Sequence, residues 1–374
     1  MGLNIRSLDL LDFRNYEHFA LEDIGRVTVL VGRNAIGKTN VLEAVNLITA
    51  TSALRHKQLS ELIREGAAAA RVQTRLEDGN RDLTCTLYVE PGKKRYELNG
   101  KAKPSSDMRG ILPAVSFTPD DLELVKKSAS VKRKAIDDMG MQLSANYHVI
   151  RNDYEKALRY KNRLLKEEAS QDLVEAVGET LVRCGAQLFC YRHSLFKRLV
   201  PLVQERYGEL SQSGEDFAAQ YLPSWLRMDG IERDELREYS RDEVRLLMEQ
   251  SLAYKAGEER ARRRCLIGPH NDDISFFVAG RNASLYASQG QQRSVVLAWK
   301  LAEVDMVKSM LQTAPVLLLD DVLSELDGSR REMLLSNVKG DMQTFITATD
   351  LAPFDNDVLG DARIVNLEEG RRHA

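Results

Sequence analysis

The run "VTVLVGRNAIGKTNVLEAV", residues 27–45, constrains this chain more tightly than any other stretch. An apolar β-branched segment ends at Val31, the next eight residues, Gly32–Thr39, match G-x-x-x-x-G-K-[ST], and from Lys38 the apolar spacing turns helical. Strand, glycine loop and helix in that order let backbone N–H groups converge on phosphate oxygens at a helix N-terminus. The candidate phosphate-binding residues are Gly32, Arg33, Asn34, Ala35, Ile36, Gly37, Lys38, Thr39 and Asn40. Lys38 is placed to reach the β and γ phosphates, and Thr39 to ligate magnesium.

Such a loop calls for a carboxylate at the end of another strand. "PVLLLDD" supplies it: the apolar run Val316–Leu319 carries Asp320 to a strand terminus, where it can hold magnesium, and Asp321 follows to orient an attacking water. Catalytic candidates are therefore Lys38, Asp320 and Asp321, and metal candidates Thr39 and Asp320. The late runs "APVLLLDD", "QTFITATD" and "ARIVNLEE" read as parallel strands of a layered α/β domain, so both chain ends must build it together.

Between them, residues 68–98 read as three antiparallel strands with an Asn-Gly turn in "LNGK". "LPAVSFTP" is a strand followed by helical Asp120 to Lys126. After it, charged segments with helical spacing run to about residue 263, with strand signals almost absent and Leu173, Val177, Leu181, Leu188, Phe196 and Leu199 facing inward. Strands resume at "CLIGPH" and "DISFFVAG". The expected division is 1–120 with 264–374 as a head, and 121–263 as an inserted helical lobe.

A net charge of −3 gives no global pull toward polyanions, so any nucleic-acid contact must be a local patch. Candidates are Arg55 and Lys57; Lys132, Arg133 and Lys134; and Arg159, Lys161, Arg163 and Lys166, although helical charge runs are usually solvated faces with partners such as Glu155 for Arg159. Cys85, Cys184, Cys190 and Cys265 are too scattered for a disulfide framework or zinc site. With no signal-like or membrane-spanning run, a cytoplasmic location is expected. His270 reads as structural, Asp272 and Asp273 as solvated carboxylates.

Two more segments narrow the chemistry. In "YASQGQQR", Ser288 and Gln291 fit the S-x-x-Q capping box of a helix start, and "SELD", Ser324–Asp327, follows the acidic pair. The order of phosphate loop, S-x-G-Q, acidic strand end and S-x-L-D resembles the ATP-binding cassette (ABC) ATPases. That resemblance implies that the S-x-G-Q tip faces a γ phosphate held by a second subunit. Ser288 would give its hydroxyl and Gly290 its N–H, with Gln291 completing the motif.

Within that superfamily, "DFRNY", "VSFTPDDLELVK", "GPHNDD", "YASQGQQR" and "LLLDDVLSELD" together resemble the RecF family of bacterial recombination mediators, in the SMC/Rad50-like branch, along nearly the whole chain. Arg14 resembles the arginine this branch uses near the nucleotide phosphates. The resemblance implies an α/β fold: an ABC-type P-loop ATPase head with an N-terminal antiparallel β-subdomain and an inserted helical lobe. It implies ATP and Mg2+ as cofactors and a weak DNA-dependent ATPase. It further implies an ATP-dependent homodimer that clamps single-stranded and gapped duplex DNA and acts with RecR and RecO to load RecA. Asp321 stands where transporter subunits carry glutamate, and Thr349 where they place a switch histidine, which implies slow hydrolysis. The chain departs from the family pattern at Asn271, Lys161, Lys127 and Ala129, away from the nucleotide loop. An ABC transporter subunit, an armless SMC-like chromosome organiser and a small-molecule P-loop kinase are the alternatives.

Overall fold

In the computed structural model, two-residue alternation is visible from the first strand. Ile5, Leu8 and Leu10 share the buried face of Asn4–Phe13 because a bulge between Ile5 and Ser7 rephases the strand. The structure describes residues 2–50, 58–211, 214–226, 238–338, 342–352, 354, 360 and 362–370, so the candidates Arg55 and Lys57 lie outside the described residues.

The chain divides into two units, residues 1–122 with 296–374, and residues 123–295. In chain order the first unit opens with β1 (Asn4–Phe13), β2 (Tyr16–Leu21), β3 (Val27–Val31), α1 (Lys38–Thr49), β4 (Ala70–Glu77), β5 (Asp82–Glu90), β6 (Lys93–Leu98), β7 (Lys101–Lys103), α2 (Ser105–Met108) and β8 (Ala114–Phe117). The second contains α3 (Ala129–Leu143), α4 (Ala145–Lys166), α5 (Gln171–Leu210), β9 (Phe217–Leu222), α6 (Arg241–Arg262), β10 (Asp273–Val278), β11 (Arg281–Asn282) and α7 (Ala283–Tyr286). Helix α8 (Gln289–Leu311) begins in the second unit and ends in the first, which finishes with β12 (Val316–Asp320), α9 (Gly328–Val338), β13 (Thr344–Ala348) and β14 (Ala362–Asn366).

The first unit holds two sheets. One is antiparallel, in the order β2-β1-β4-β5-β6-β7, its last hairpin turned by Asn99 and Gly100, both at positive φ as a two-residue primed turn requires. The other is parallel, in the order β14-β3-β13-β12-β8. Helix α1 is buried all round from Val41 to Thr49 and shares one core with residues of both sheets. The Gln343 side chain stitches the sheets directly, accepting from Ile5 N–H (2.7 Å) and donating to the carbonyls of Ile5 (2.8 Å) and Gly25 (3.0 Å).

The structure departs from expectation in four places. "FAAQYL" forms β9, and β10 pairs with it antiparallel over six residues, which draws residues 264–295 into the helical unit rather than the head. "CLIGPH" is turns and loop, not strand. Leu173 faces outward at 42% exposure, and its neighbour Val174 takes the buried position instead. Residues after β8 form only a short 3-10 turn, Pro119–Glu123.

Candidate nucleotide site

Gly37 sits at φ 117°, and a β-carbon there would lie 2.7 Å from both Asn15 Nδ2 and the Tyr16 hydroxyl. Only glycine meets both demands. The crowding arises because the β1–β2 turn braces the phosphate loop: Asn15 donates to Ile36 O (3.0 Å) and accepts from Asn40 Nδ2 (2.7 Å). Arg14, itself at φ 56°, donates to the buried Glu43 carboxylate (2.8 Å) and to Glu61 O (2.8 Å). Lys38 is buried and donates to the Gly32 (2.6 Å) and Arg33 (3.2 Å) carbonyls.

A cavity of about 540 Å³ opens here, lined by the expected Arg14, Asn34, Ala35, Gly37, Lys38, Thr39, Asn40 and Asp321. Glu43, Glu61 and Pro119 line it too, unannounced by the sequence reading. Gly32, Arg33 and Ile36 stay off its wall: Gly32 N–H donates to Ala348 O, Ile36 packs on the core, and Arg33 turns to Glu368.

The acidic strand end meets the loop as expected. Thr39 Oγ1 donates to both Asp320 oxygens (2.9 and 3.1 Å), across two strands of the parallel sheet. Thr347, on the intervening β13, donates to Asp320 Oδ1 (3.1 Å) and accepts from Asp321 N–H (2.8 Å), a bridging role no motif announced. Asp321 adopts φ 58°, the left-handed region, which turns the chain into the "SELD" segment. A threonine hydroxyl touching a carboxylate is a hard oxygen donor set that fits magnesium, an ion usually completed by phosphate and water. No group of three or more His, Cys, Asp or Glu side chains that could hold a metal ion exists among the described residues.

Pro119 is held in place from behind. Asp121 accepts from Thr118 N–H (2.8 Å) and pairs with Lys300 Nζ (3.1 Å), which also meets Glu303 (3.3 Å), itself bonded by Trp299 Nε1 (2.8 Å). Burial disfavours the Lys300 charge, but Asp121 and Glu303 outweigh it and hold the ammonium above its ordinary range.

Ser288, Gly290 and Gln291 belong to the second unit, at the exposed start of α8. The capping box forms reciprocally: Ser288 N–H donates to Gln291 Oε1 (2.7 Å), and Gln291 N–H to Ser288 Oγ (3.2 Å). Because Ser288 Oγ is used there as an acceptor, its hydroxyl proton is left to donate elsewhere. The N–H groups of Gln289 and Gly290 are first-turn donors, for which a helix has no internal acceptor.

Comparison with known proteins places this geometry. A family model described as the RecF/RecN/SMC N terminal domain matches residues 4–357. A DNA replication and repair protein RecF from Symbiobacterium thermophilum is 38% identical over 353 residues, 93% of this chain and 92% of that one. The chain belongs to the RecF family. A second RecF-family relative, from Thermosynechococcus vestitus, is 35% identical over 98% of this chain and 96% of its own. The solved structure of the recombination mediator protein RecF-ATPrS in the RecFOR pathway matches with a TM-score of 0.86 at 27% identity, covering 95% of this chain and 94% of that one. An Smc head domain from Pyrococcus furiosus, 16% identical with a TM-score of 0.54 over 98% of this chain and 94% of its own, shares the fold. The expected ABC-type α/β fold is thereby established for this RecF-family chain.

The basic clusters fare differently. Lys132 is buried, donating to Ile274 O (3.1 Å) over the Phe276 ring, and Arg133 is partly buried on Asp272 O. Lys161 is buried in an ion pair with Glu259 (2.7 Å). All three were candidates for a nucleic-acid surface; in the structure Lys132 and Lys161 turn inward, Arg133 does so in part, and their charges meet acceptors within the helical unit. Lys134, Arg159 and Arg163 are exposed on α3 and α4, each beside a carboxylate one turn away.

His270 is structural, as read from sequence: its Nδ1 meets the Tyr154 hydroxyl (2.5 Å), its Nε2 meets Cys265 O (3.1 Å), and burial pushes its pKa down to about 4. Asp272 corrects the sequence reading. It is wholly buried, accepts from Tyr221 OH (2.5 Å) and Ser224 N–H (2.7 Å), and burial raises its pKa.

Proposed function

We propose that this RecF-family chain is a cytoplasmic, ATP-switched DNA clamp of recombinational repair. Two copies close over two nucleotides, hold single-stranded or gapped duplex DNA, and act with RecR and RecO to help load RecA. Solved relatives described as recombination mediators of the RecFOR pathway, one with ATPrS and one with ATP, support the nucleotide and pathway parts of this reading. No described helix is long and apolar enough to cross a membrane.

The observation that carries the switch is the Ser288 tip, ordered by its own capping box yet keeping a hydroxyl proton and first-turn N–H groups for an anion. Lys38 would exchange two loop carbonyls for phosphate oxygens, with the loop amides and Arg14 beside it. Thr39 and Asp320 would hold Mg2+, which supplies charge neutralisation when bound. Asp321, on the cavity wall, would orient water; one methylene shorter than glutamate, it suits slow turnover. ATP that contacts the tip of a second copy only in the closed pair shifts the population toward closure, and hydrolysis releases it. DNA contacts would be mainly with the backbone and salt-dependent, Lys134, Arg159 and Arg163 being the exposed candidates.

Light scattering with and without ATP and gapped duplex tests this. Wild type should double in mass with ATP and retain DNA. Lys38→Ala should bind ATP roughly 10- to 100-fold more weakly, from the loss of charge-assisted hydrogen bonds. Ser288→Arg should keep ATP affinity but stay single. Equal loss of ATP affinity in both variants, or doubling by Ser288→Arg, would overturn the two-copy assignment.

A further inference from the structure

Gln291 closes the capping box with its amide oxygen, so something must decide which way that amide faces. Turned over, its NH2 would oppose the Ser288 N–H, donor against donor, and the tip would lose one of its two reciprocal bonds. In the structure Gln291 Nε2 donates to Glu215 Oε2 at 2.8 Å, while Oε1 accepts from Ser288 N–H at 2.7 Å. A carboxylate only accepts, so it holds the amide in one orientation.

Glu215 is well placed for that work. It lies two residues before β9, its N–H donates to Ser211 Oγ (3.1 Å), and the carbonyl of the next residue, Asp216, accepts from Ala279 N–H (3.0 Å), which ties the segment to the end of β10. Both Glu215 and Gln291 are only partly exposed, which favours a persistent bond over a transient surface contact. No sequence motif links positions 215 and 291; the β9–β10 pairing brings them together.

We infer that Glu215 is a positioning residue for the S-x-G-Q tip, fixing Gln291 so that Ser288 and Gly290 are presented to the phosphate held by a second copy. This rests on the two-copy reading above and adds a residue that acts through another rather than touching nucleotide.

The test uses the full chain and measures two quantities: ATP affinity of the single subunit, and the dissociation constant of the ATP-bound pair by sedimentation. Glu215→Ala should leave the first unchanged and weaken the second about tenfold, since a cap is worth severalfold and each pair uses the tip twice. Glu215→Gln, whose amide oxygen also accepts, should restore pairing to within about twofold of wild type. Ser288→Arg run alongside separates the two ideas. If Ser288→Arg blocks pairing while Glu215→Ala pairs like wild type, the positioning role is overturned and the two-copy reading stands. Pairing by Ser288→Arg overturns both. Equal impairment of Glu215→Ala and Glu215→Gln, or a fall in single-subunit ATP affinity in either, overturns the acceptor argument.

Discussion

Around the phosphate loop, charged side chains edge an open cavity and touch backbone carbonyls and carboxylates. Lys38 donates to two carbonyls, Arg14 to one carboxylate and one carbonyl, and Asp321 faces the cavity. In the helical unit one cluster of charges is buried and mutually hydrogen-bonded. Asp137 accepts from Arg192 Nε and Nη2 (2.8 and 2.9 Å), Tyr147 OH (2.6 Å) and Arg151 Nε (3.2 Å), while Arg192 also donates to Pro269 O (2.6 Å). Burial would raise the Asp137 pKa, but Arg192 and its other donors outweigh that and hold it below the usual carboxylate range. The two settings differ in what each charge is buried against. Lys38 is buried against backbone carbonyls, whereas Asp137 and Arg192 are buried against each other's charge.

The comparison breaks most visibly at Asp137. Asp137→Ala leaves Arg192 buried without its carboxylate and should cost about 3–5 kcal/mol of stability, read by urea denaturation, with nucleotide affinity of the remaining folded protein unchanged. A loss below about 1 kcal/mol would mean that the helical unit does not depend on this cluster.

Acid should sharpen the contrast next. Burial pushes His193 and His270, both in the helical unit, down to about 4, against an ordinary value near 6.5. Their stability contribution is therefore complete above about pH 6.5 and is lost as pH falls through about 4, at most about 3 kcal/mol for each. Denaturation midpoints between pH 7.5 and 4 should fall for wild type and fall less steeply for His193→Gln. Identical slopes would contradict burial of the neutral imidazole.

The smallest expected effect is at the site itself. Thr39→Val removes one hydrogen bond to Asp320, which Thr347 still supports, so stability should drop by about 1 kcal/mol at most. Magnesium-dependent ATP binding, measured by titration with and without the ion, should fall by more than that. A stability loss exceeding the affinity loss would reverse the assignment.

The head was largely legible because its signals are local. A β-branched run, a glycine loop and an apolar run ending in Asp-Asp are each contiguous, and their strand ends meet through sheet pairing alone. The capping box was legible for the same reason. What escaped depends on tertiary neighbours: Thr347 on the intervening strand, Glu215 brought up by β9, and the inward turn of Lys132 and Lys161. A basic residue in a helical run reads as solvated until the acceptor opposite it is known, and Glu259 lies far along the chain from Lys161. Asn15 and Tyr16 stand inside the "DFRNY" run, yet only their packing on Gly37 reveals why they are there.

Strand β3, which launches the phosphate loop, lies between β13 and β14, and the Gln343 amide reaches back 338 residues to Ile5. A nascent chain leaving the ribosome thus exposes its loop-bearing strand long before either flanking strand has been translated. The middle unit, whose pairings all fall within residues 123–295, has everything it needs earlier. A prematurely terminated product therefore carries the loop motif without the flanking strands of a finished sheet.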